Sequence, residues 1–567
     1  MLRLPADADR EALDLSRTLG LTPTAASVLV SRGLRDPSEG ARYLDPRLAH
    51  LTPPDSMHDR AAAVSRIAAA VRGRERICVF GDYDADGVTA AALLTDVLRA
   101  LGCDVVPVLA NRFDGGYGLS EPALERVLGT GASLIVTCDC GSSDHERLDR
   151  ARTRGVDAVV IDHHRVPEAP LPAVAFLNPH RPECGFAYKG LASVGLAFSI
   201  GAGVRAELGV ALDMRRWLDF VAIGTIGDVA PLDGDNRALV RAGLKELLRG
   251  SRPGTRALAQ IAGCGSTMIT GEDVSFRLAP RVNAPGRLDR ADLALALLLA
   301  TTDTEARRIA GEVEALCTRR KEVDRAVTAE ALAMLEDPGL ARLPVIVLAR
   351  QGWHPGVVGI VAGRLSARFA KPTIVVALDG PRGRGSARGP AGFSVFDALA
   401  RVKDVLVGFG GHHAAAGVEV HSDRVAILRE RFAEACTAIG VPGPPAGPDA
   451  DAVLAEGDSP ERVVGDLERF EPCGQSNPAP RIAIARARVL GVREVKGGHL
   501  RLWLEANGSP LSCFGAQMGH LQSRLGVEVR VVGALRRDAW RGGDAVEMHL
   551  ISAEALSKGV PRVGAGE

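Results

Sequence analysis

The short apolar run Ile77-Cys78-Val79-Phe80 leads straight into Gly81-Asp82-Tyr83-Asp84-Ala85-Asp86-Gly87, and a second run, Ala158-Val159-Val160-Ile161, leads straight into Asp162-His163-His164. A buried strand ending in carboxylates and imidazoles delivers them to the carboxyl edge of an α/β sheet, where ligands bind. Further strand patterns at Val105 to Leu109 and Leu134 to Thr137 alternate with helical patterns from Thr89 to Leu101, from Glu121 and from Asp144. This alternation predicts βαβ units and a mainly parallel sheet.

The sheet edge then carries Asp82, Asp84 and Asp86, Asp139, and Asp162-His163-His164, with Asp228 a fourth candidate in Gly224-Thr225-Ile226-Gly227-Asp228-Val229-Ala230-Pro231. Gathered carboxylates need cations, because an unpaired buried charge costs several kcal/mol. A carboxylate-rich set with one or two imidazoles favours Mn²⁺ or Mg²⁺ over Zn²⁺. Two such ions about 3.5 to 4 Å apart suit hydrolysis of a phosphoester or phosphoanhydride. Taken singly, an Asp-x-Asp after a strand is a common helix cap and a His-His pair a common structural feature; the coincidence of four placements carries the reading.

The chain has 567 residues, which a prior of about 100 to 200 residues per domain divides into three or four. We expect an N-terminal helical cap over 1–70, an α/β lobe over 71–300, a connecting helix over 301–338, a second α/β lobe over 339–440, and a β-barrel over 451–560. Thr302 and Glu305 form a capping box and Pro338-Gly339 a stop. Between them, residues 303–336 make one helix of roughly 50 Å with Ile309, Val313, Leu316, Val323, Val327 and Met334 along its seam. Val441 to Pro448 reads as a proline-stiffened linker. Alternating runs after it, such as His499 to Leu504 and Val527 to Val531, read as five or six short barrel strands.

Lys plus Arg equals Asp plus Glu at 69 each, so any nucleic-acid groove must come from local segregation of charge. The N-terminus carries acids where a signal peptide needs a basic start, and no run is long enough to span a bilayer, so a cytoplasmic protein is expected. The ten cysteines are scattered without a second close pair and read as reduced core thiols.

Taken together, residues 81–90, Asp139, Asp162-His163-His164 and Gly227-Asp228-Val229-Ala230-Pro231-Leu232 resemble the DHH phosphoesterase superfamily. Phe276 to Arg287 and Gly408 to Gly417 resemble motifs of its bacterial single-strand-specific exonuclease branch, the latter being the associated DHHA1 motif. The resemblance implies a DHH lobe, a DHHA1 lobe and an OB-fold. It also implies 5′-to-3′ exonuclease action on single-stranded DNA, in recombination and repair, with Mn²⁺ or Mg²⁺. By the same resemblance Asp82, Asp84, Asp86, Asp139, His163 and Asp228 hold metal, with His164 beside the reacting phosphate. Single-strand-binding protein and a RecQ-type helicase are the partners it implies.

For substrate grip, Arg277, Arg281, Asn283 and Arg287 lie between prolines and are expected on an irregular loop along a strand channel. Ser386 and Arg388, after the strand Thr373 to Ala377, offer a phosphate site with guanidinium forks. Arg112 and Tyr117 could place a cation and an aromatic face near the first nucleotide. Gly410, Gly411 and His412 are expected as a turn supplying amides and an imidazole to phosphate. Arginines of the barrel, with Trp503, are compatible with an OB-fold that tracks a single strand. The alternative is a DHH-type phosphodiesterase for short oligonucleotides, cyclic dinucleotides or pyrophosphate; the arginine segment and the barrel argue against it. A binding scaffold without catalysis ranks last, since every acid of the metal set is present.

Overall fold

The computed structural model describes residues 2–5, 9–265, 267–443, 449–538 and 545–556. Helices α1 (Arg10–Leu19), α2 (Pro23–Ser31) and α3 (Pro37–Leu44) open the chain, and α4 (Arg60–Arg72) leads into the first sheet. That sheet comprises β1 (Ile77–Gly81), β2 (Val105–Leu109), β3 (Leu134–Cys138), β4 (Asp157–Ile161) and β5 (Ala175–Leu177). Its order is β2-β1-β3-β4-β5 and every pairing is parallel, as the alternation predicts. Helix α5 (Ala85–Ala100) packs on one face with α4, while α6 (Glu121–Leu128) and α7 (His145–Thr153) cover the other. Both faces are therefore buried, which is why the strands read as unbroken apolar runs.

Helices α8 (Ser193–Glu207), α9 (Leu218–Gly227), α10 (Gly234–Arg249) and α11 (Pro253–Ile261) enlarge the first core. After the single turn α12 (Gly271–Asp273) come a π-helical turn, Val274–Leu278, and α13 (Ala279–Leu288). The segment expected as an irregular loop is thus helical. Pro280 falls in the first turn of α13, where no backbone N–H is required. Pro285 lies inside the helix, and burial of Val282, Ala284 and Gly286 around it outweighs its intrinsic cost.

After α14 (Asp292–Leu299), α15 (Asp303–Met334) runs for 32 residues, about 48 Å, with the Thr302 side chain accepting from the Glu305 amide. Arg281 fastens it to α13 by donating to Glu314 at 2.5 and 3.0 Å. Farther along, Asp324 accepts from Arg364 at 2.9 Å and Glu330 from the Trp353 indole at 2.7 Å. Pro338 does not simply stop the chain but begins a further turn, α16 (Pro338–Ala341).

The second sheet holds β6 (Ile346–Gln351), β7 (Thr373–Asp379), β8 (Arg382–Arg388), β9 (Gly408–Gly411) and β10 (Ala415–His421), in the order β6-β7-β8-β10-β9. Only β6 and β7 are parallel. Helix α17 (Val358–Phe369) covers one face, and α18 (Val395–Ala400) with α19 (Val425–Ile439) the other. Of the proline-rich linker, residues 444–448 lie outside the described residues.

Strand β11 (Ala452–Val453) and helix α20 (Pro460–Leu467) precede β12 (Ile482–Val495), β13 (His499–Ala506), β14 (Ser509–Gly515), β15 (Glu528–Arg537) and β16 (Val546–Ala555). Because β12 pairs with both β13 and β15, five strands close into a barrel. They are not all short: β12 has 14 residues and bends through register shifts. Leu15, Leu29 and Leu44 of α1 to α3 lie in the barrel core, whereas α4 belongs to the first sheet. The segment expected as one N-terminal cap therefore divides between two cores.

Candidate metal centre and strand cleft

Three strand ends and one helix end converge. Asp82 follows β1, Asp139 follows β3 and Asp162 follows β4, while Asp228 ends α9. Asp84 is the N-cap of α5, accepting from the amides of Asp86 and Gly87 at 3.1 Å each. Gly87 lets this turn close back on the strand, because a Cβ there would fall 2.6 Å from the Asp82 backbone. Asp86, fully buried, accepts from the Ser193 and Val194 amides at 2.7 and 2.9 Å, so the N-terminus of α8 faces it. Asp139 adopts φ +64 and accepts from the Ser193 hydroxyl at 3.1 Å.

His163 Nε2 lies 3.2 Å from Asp139, 3.7 Å from Asp228 and 3.8 Å from Asp86. Asp162 accepts from the amides of His163 and His164 and from His164 Nδ1 at 2.7 Å, which fixes the ring. The Tyr117 hydroxyl donates to the Asp139 carbonyl at 3.0 Å and stands 3.0 Å from His164 Nδ1. Three ligand groups result: Asp82, Asp84 and Asp139; Asp86, His163 and Asp228; and Asp139, His163 and His164, each with donor atoms within 4.8 Å of one another.

Electrostatics show what such a cluster needs. Burial and then Asp84 push Asp82 well above the usual carboxylate range. Burial and the neighbouring acids likewise raise Asp139, lift Asp86 to about 7 and lift Asp228 to about 9. Burial and the His164 charge lower His163 to about 4. Burial opposes ionisation of both Asp162 and His164, yet their mutual hydrogen bond and charge prevail, lowering the acid and raising the imidazole to about 9. His163 Nε2 is buried among carboxylates without a hydrogen-bond partner. A lone pair so placed, ringed by oxygen donors, fits a hard divalent cation.

The second lobe faces this centre. The His412 ring stacks on His164 at 5.1 Å, and the two border a cleft of about 470 Å³ with His180, Arg165 and Phe396. Gly410 and Gly411 are not a turn as expected but an edge strand paired with Gly417 and Ala416, and the His412 amide donates to Ala415. The strand looks like a turn because three of its four residues are glycine, which is rare inside a strand, and because the real turn, His412 to Ala414, follows at once before β10.

On the other side lies an arginine pocket. Arg112 sits 4.1 Å over the ring of Tyr83, the residue between Asp82 and Asp84, and donates to the Gly286 carbonyl. Arg287 is half-buried and donates to the Gly356 carbonyl at 3.2 Å; loss of solvent and then Arg112, Arg320 and Arg388 lower it to about 10. Arg388 donates to the Ser386 hydroxyl at 2.7 Å beside Gly359. Arg320 of α15 went unnoticed in the sequence, its helix offering no local signal, as did Ser193 behind Asp86 and Asp139. Asn283 shares the helical face of Arg287, one turn away.

Two expected grip residues lie elsewhere. Arg281 is 8% exposed and committed to Glu314, and Arg277 donates to the Gly263 carbonyl and pairs with Asp273. In the barrel Arg501 is held by Glu547 and Arg488 by Glu505, whereas Arg493 stands 6.0 Å over Trp503.

Parallel sheet, strand-end acid and histidine cluster, facing second lobe and closed barrel define a DHH-type protein with appended domains. The chain matches the DHH family N-terminal domain over residues 76–225, the DHHA1 domain over 342–438 and the RecJ OB domain over 450–552. It belongs to the RecJ family. It is 35% identical to the single-stranded-DNA-specific exonuclease RecJ of Bacillus subtilis over 553 residues, covering 96% of this chain and 69% of that one. It is 36% identical to that of Escherichia coli over 514 residues, covering 87% and 88%. The crystal structure of RecJ in complex with Mn²⁺ from Thermus thermophilus superposes with a TM-score of 0.82 at 32% identity, covering 99% of this chain and 80% of that one.

Proposed function

We propose that this protein is a single-stranded-DNA-specific exonuclease that hydrolyses phosphodiesters stepwise from a 5′ end in DNA recombination and repair, with Mn²⁺ or Mg²⁺. The observation that carries the reading is the convergence of three ligand groups on Asp139 and His163, with the arginine pocket adjoining through Tyr83. Asp82, Asp84, Asp86, Asp139, His163 and Asp228 would hold two ions. Bound there, such a pair supplies an activated water and stabilises the charge developing on the phosphoryl oxygens.

The protein's own groups do the rest. Asp162 orients His164, whose raised affinity for a proton keeps it cationic toward the scissile phosphate. His412 closes over it from the second lobe. Arg112, Arg287 and Arg388, with Ser386, bind a terminal phosphate one nucleotide from the centre, and this defines the polarity. Placing the barrel against the first lobe extends the strand path beyond what a short oligonucleotide or cyclic dinucleotide requires, which favours the longer substrate. Family membership supports single-strand-binding protein and a RecQ-type helicase as partners, and a cytoplasmic location. Among the described residues no helix is long and apolar enough to cross a membrane.

The test is degradation of oligonucleotides labelled at either end, with Mn²⁺, beside a duplex and an Asp139→Ala control. Early release of label from the 5′ end of the single strand, abolished in the variant and faster with a 5′-phosphate than a 5′-hydroxyl, supports the reading. Label released first from the 3′ end, or activity that survives in Asp139→Ala, overturns it.

A further inference from the structure

Two strongly exposed apolar side chains lie on the elements that flank the metal centre: Phe276, 76% exposed, on the π-helical turn that packs against α9, and Val229, 64% exposed, directly after Asp228. Phe276 belongs to the π-helical turn whose Val274 and Leu278 are buried, so the core holds the turn while Phe276 projects away from it. Val229 directly follows Asp228 at φ +62, a conformation that a β-branched residue adopts only under constraint. Its amide donates to the Ile226 carbonyl at 3.1 Å, which holds it there.

Phe276, Pro280, Asn283 and Arg287 recur at helical spacing and form one stripe about 16 Å long. At one end Arg287 enters the arginine pocket. Near the other, Ala279 packs on Gly227, next to Asp228, so closely that a Cβ on Gly227 would lie 3.3 Å from that of Ala279. The stripe thus runs from the pocket to Phe276, and the contact of Ala279 with Gly227 brings Asp228 and Val229 to its Phe276 end.

We propose that Phe276 and Val229 form an apolar step on which a nucleobase downstream of the scissile phosphate stacks, and that this contact selects single strands. The proposal rests on the nuclease reading and deepens it. A strand anchored by its terminal phosphate in the arginine pocket reaches the step roughly 16 Å on, past the second nucleotide of an extended chain. Phosphate contacts carry no demand for unpaired bases. Stacking on a side chain does: it needs a free base face, which a nucleotide inside a duplex lacks.

Full-length protein, Phe276→Ala and Phe276→Trp would be compared with Mn²⁺ on 5′-phosphorylated 20-mers carrying one abasic site at successive positions. The rate constant kcat/KM for the first cleavage is the readout. The unaltered protein should lose about tenfold when the abasic site faces the step. Phe276→Ala should lose about tenfold on the intact strand and nothing further at that position, and Phe276→Trp should restore both. A 5′-phosphorylated dinucleotide ends before the step and should be cut equally by all three. Wild-type kcat/KM in Phe276→Ala, an unchanged abasic penalty, or a loss on the dinucleotide would overturn the proposal. Failure of the nuclease reading itself would look different, as no 5′ cleavage of either substrate by the unaltered protein.

Discussion

Asp86 and Asp228 hold their protons up to about 7 and about 9 in the folded chain, where an ordinary carboxyl near 3.8 has already released its own. The cation-free fold therefore binds more protons than the unfolded chain across that interval, and its stability falls as pH rises from about 4 to about 9. Thermal melts with chelator should decline over this range, and Mn²⁺ should flatten the decline by replacing the protons. Parallel pH profiles with and without Mn²⁺ would contradict this. Asp162 acts through His164, so Asp162→Asn should lower turnover about 10- to 100-fold while circular dichroism stays unchanged. The acids were legible because each ends a strand pattern or caps a helix. Ser193, which ties Asp86 to Asp139, and Arg320 were not, since nothing within a helix of small or alternating residues marks which one meets a partner far away in the chain.

At the scale of elements, strands of the first sheet announce themselves because burial on both faces leaves only apolar residues. The segment from Val274 to Leu288 misleads because its two prolines signal breakage, whereas one occupies a helix start and the other is overridden by packing. Its outcome decides which side chains share a face: a helix turns Arg281 inward to Glu314 and leaves Phe276, Asn283 and Arg287 on a common side. Glu314→Ala would take the carboxylate from the Arg281 guanidinium, whose side chain is 9% exposed, and leave it on the Arg277 and Ile261 carbonyls. Chemical denaturation should then show a loss of about 1 to 3 kcal/mol, and a loss below 0.5 kcal/mol, roughly the level of a surface pair, would refute the structural role given to Arg281.

In the whole molecule, the barrel is not a tethered appendage. Arg237 of α10 donates to the carbonyls of Tyr43, Phe470, Glu471 and Pro472, and Arg241 to those of Arg469 and Glu471. Arg536 of the barrel reaches Glu272 beside the π-helical turn. Arg237→Ala should release this clasp at a cost of about 2 to 4 kcal/mol. Small-angle scattering should show a larger radius of gyration, and cleavage of long strands should suffer more than cleavage of dinucleotides. Unchanged scattering would mean that other contacts suffice. None of this docking could be read from the sequence, because arginines on a helix give no hint of which carbonyls they cap.

The connecting helix α15 is fastened at Glu314 to one lobe and at Asp324 and Glu330 to the other, so it behaves as a caliper locked at one setting. A locked caliper sorts by girth. A base bearing a bulky adduct should halt where the strand narrows into the slot, leaving fragments that end a constant number of nucleotides before the damage, whatever the surrounding sequence.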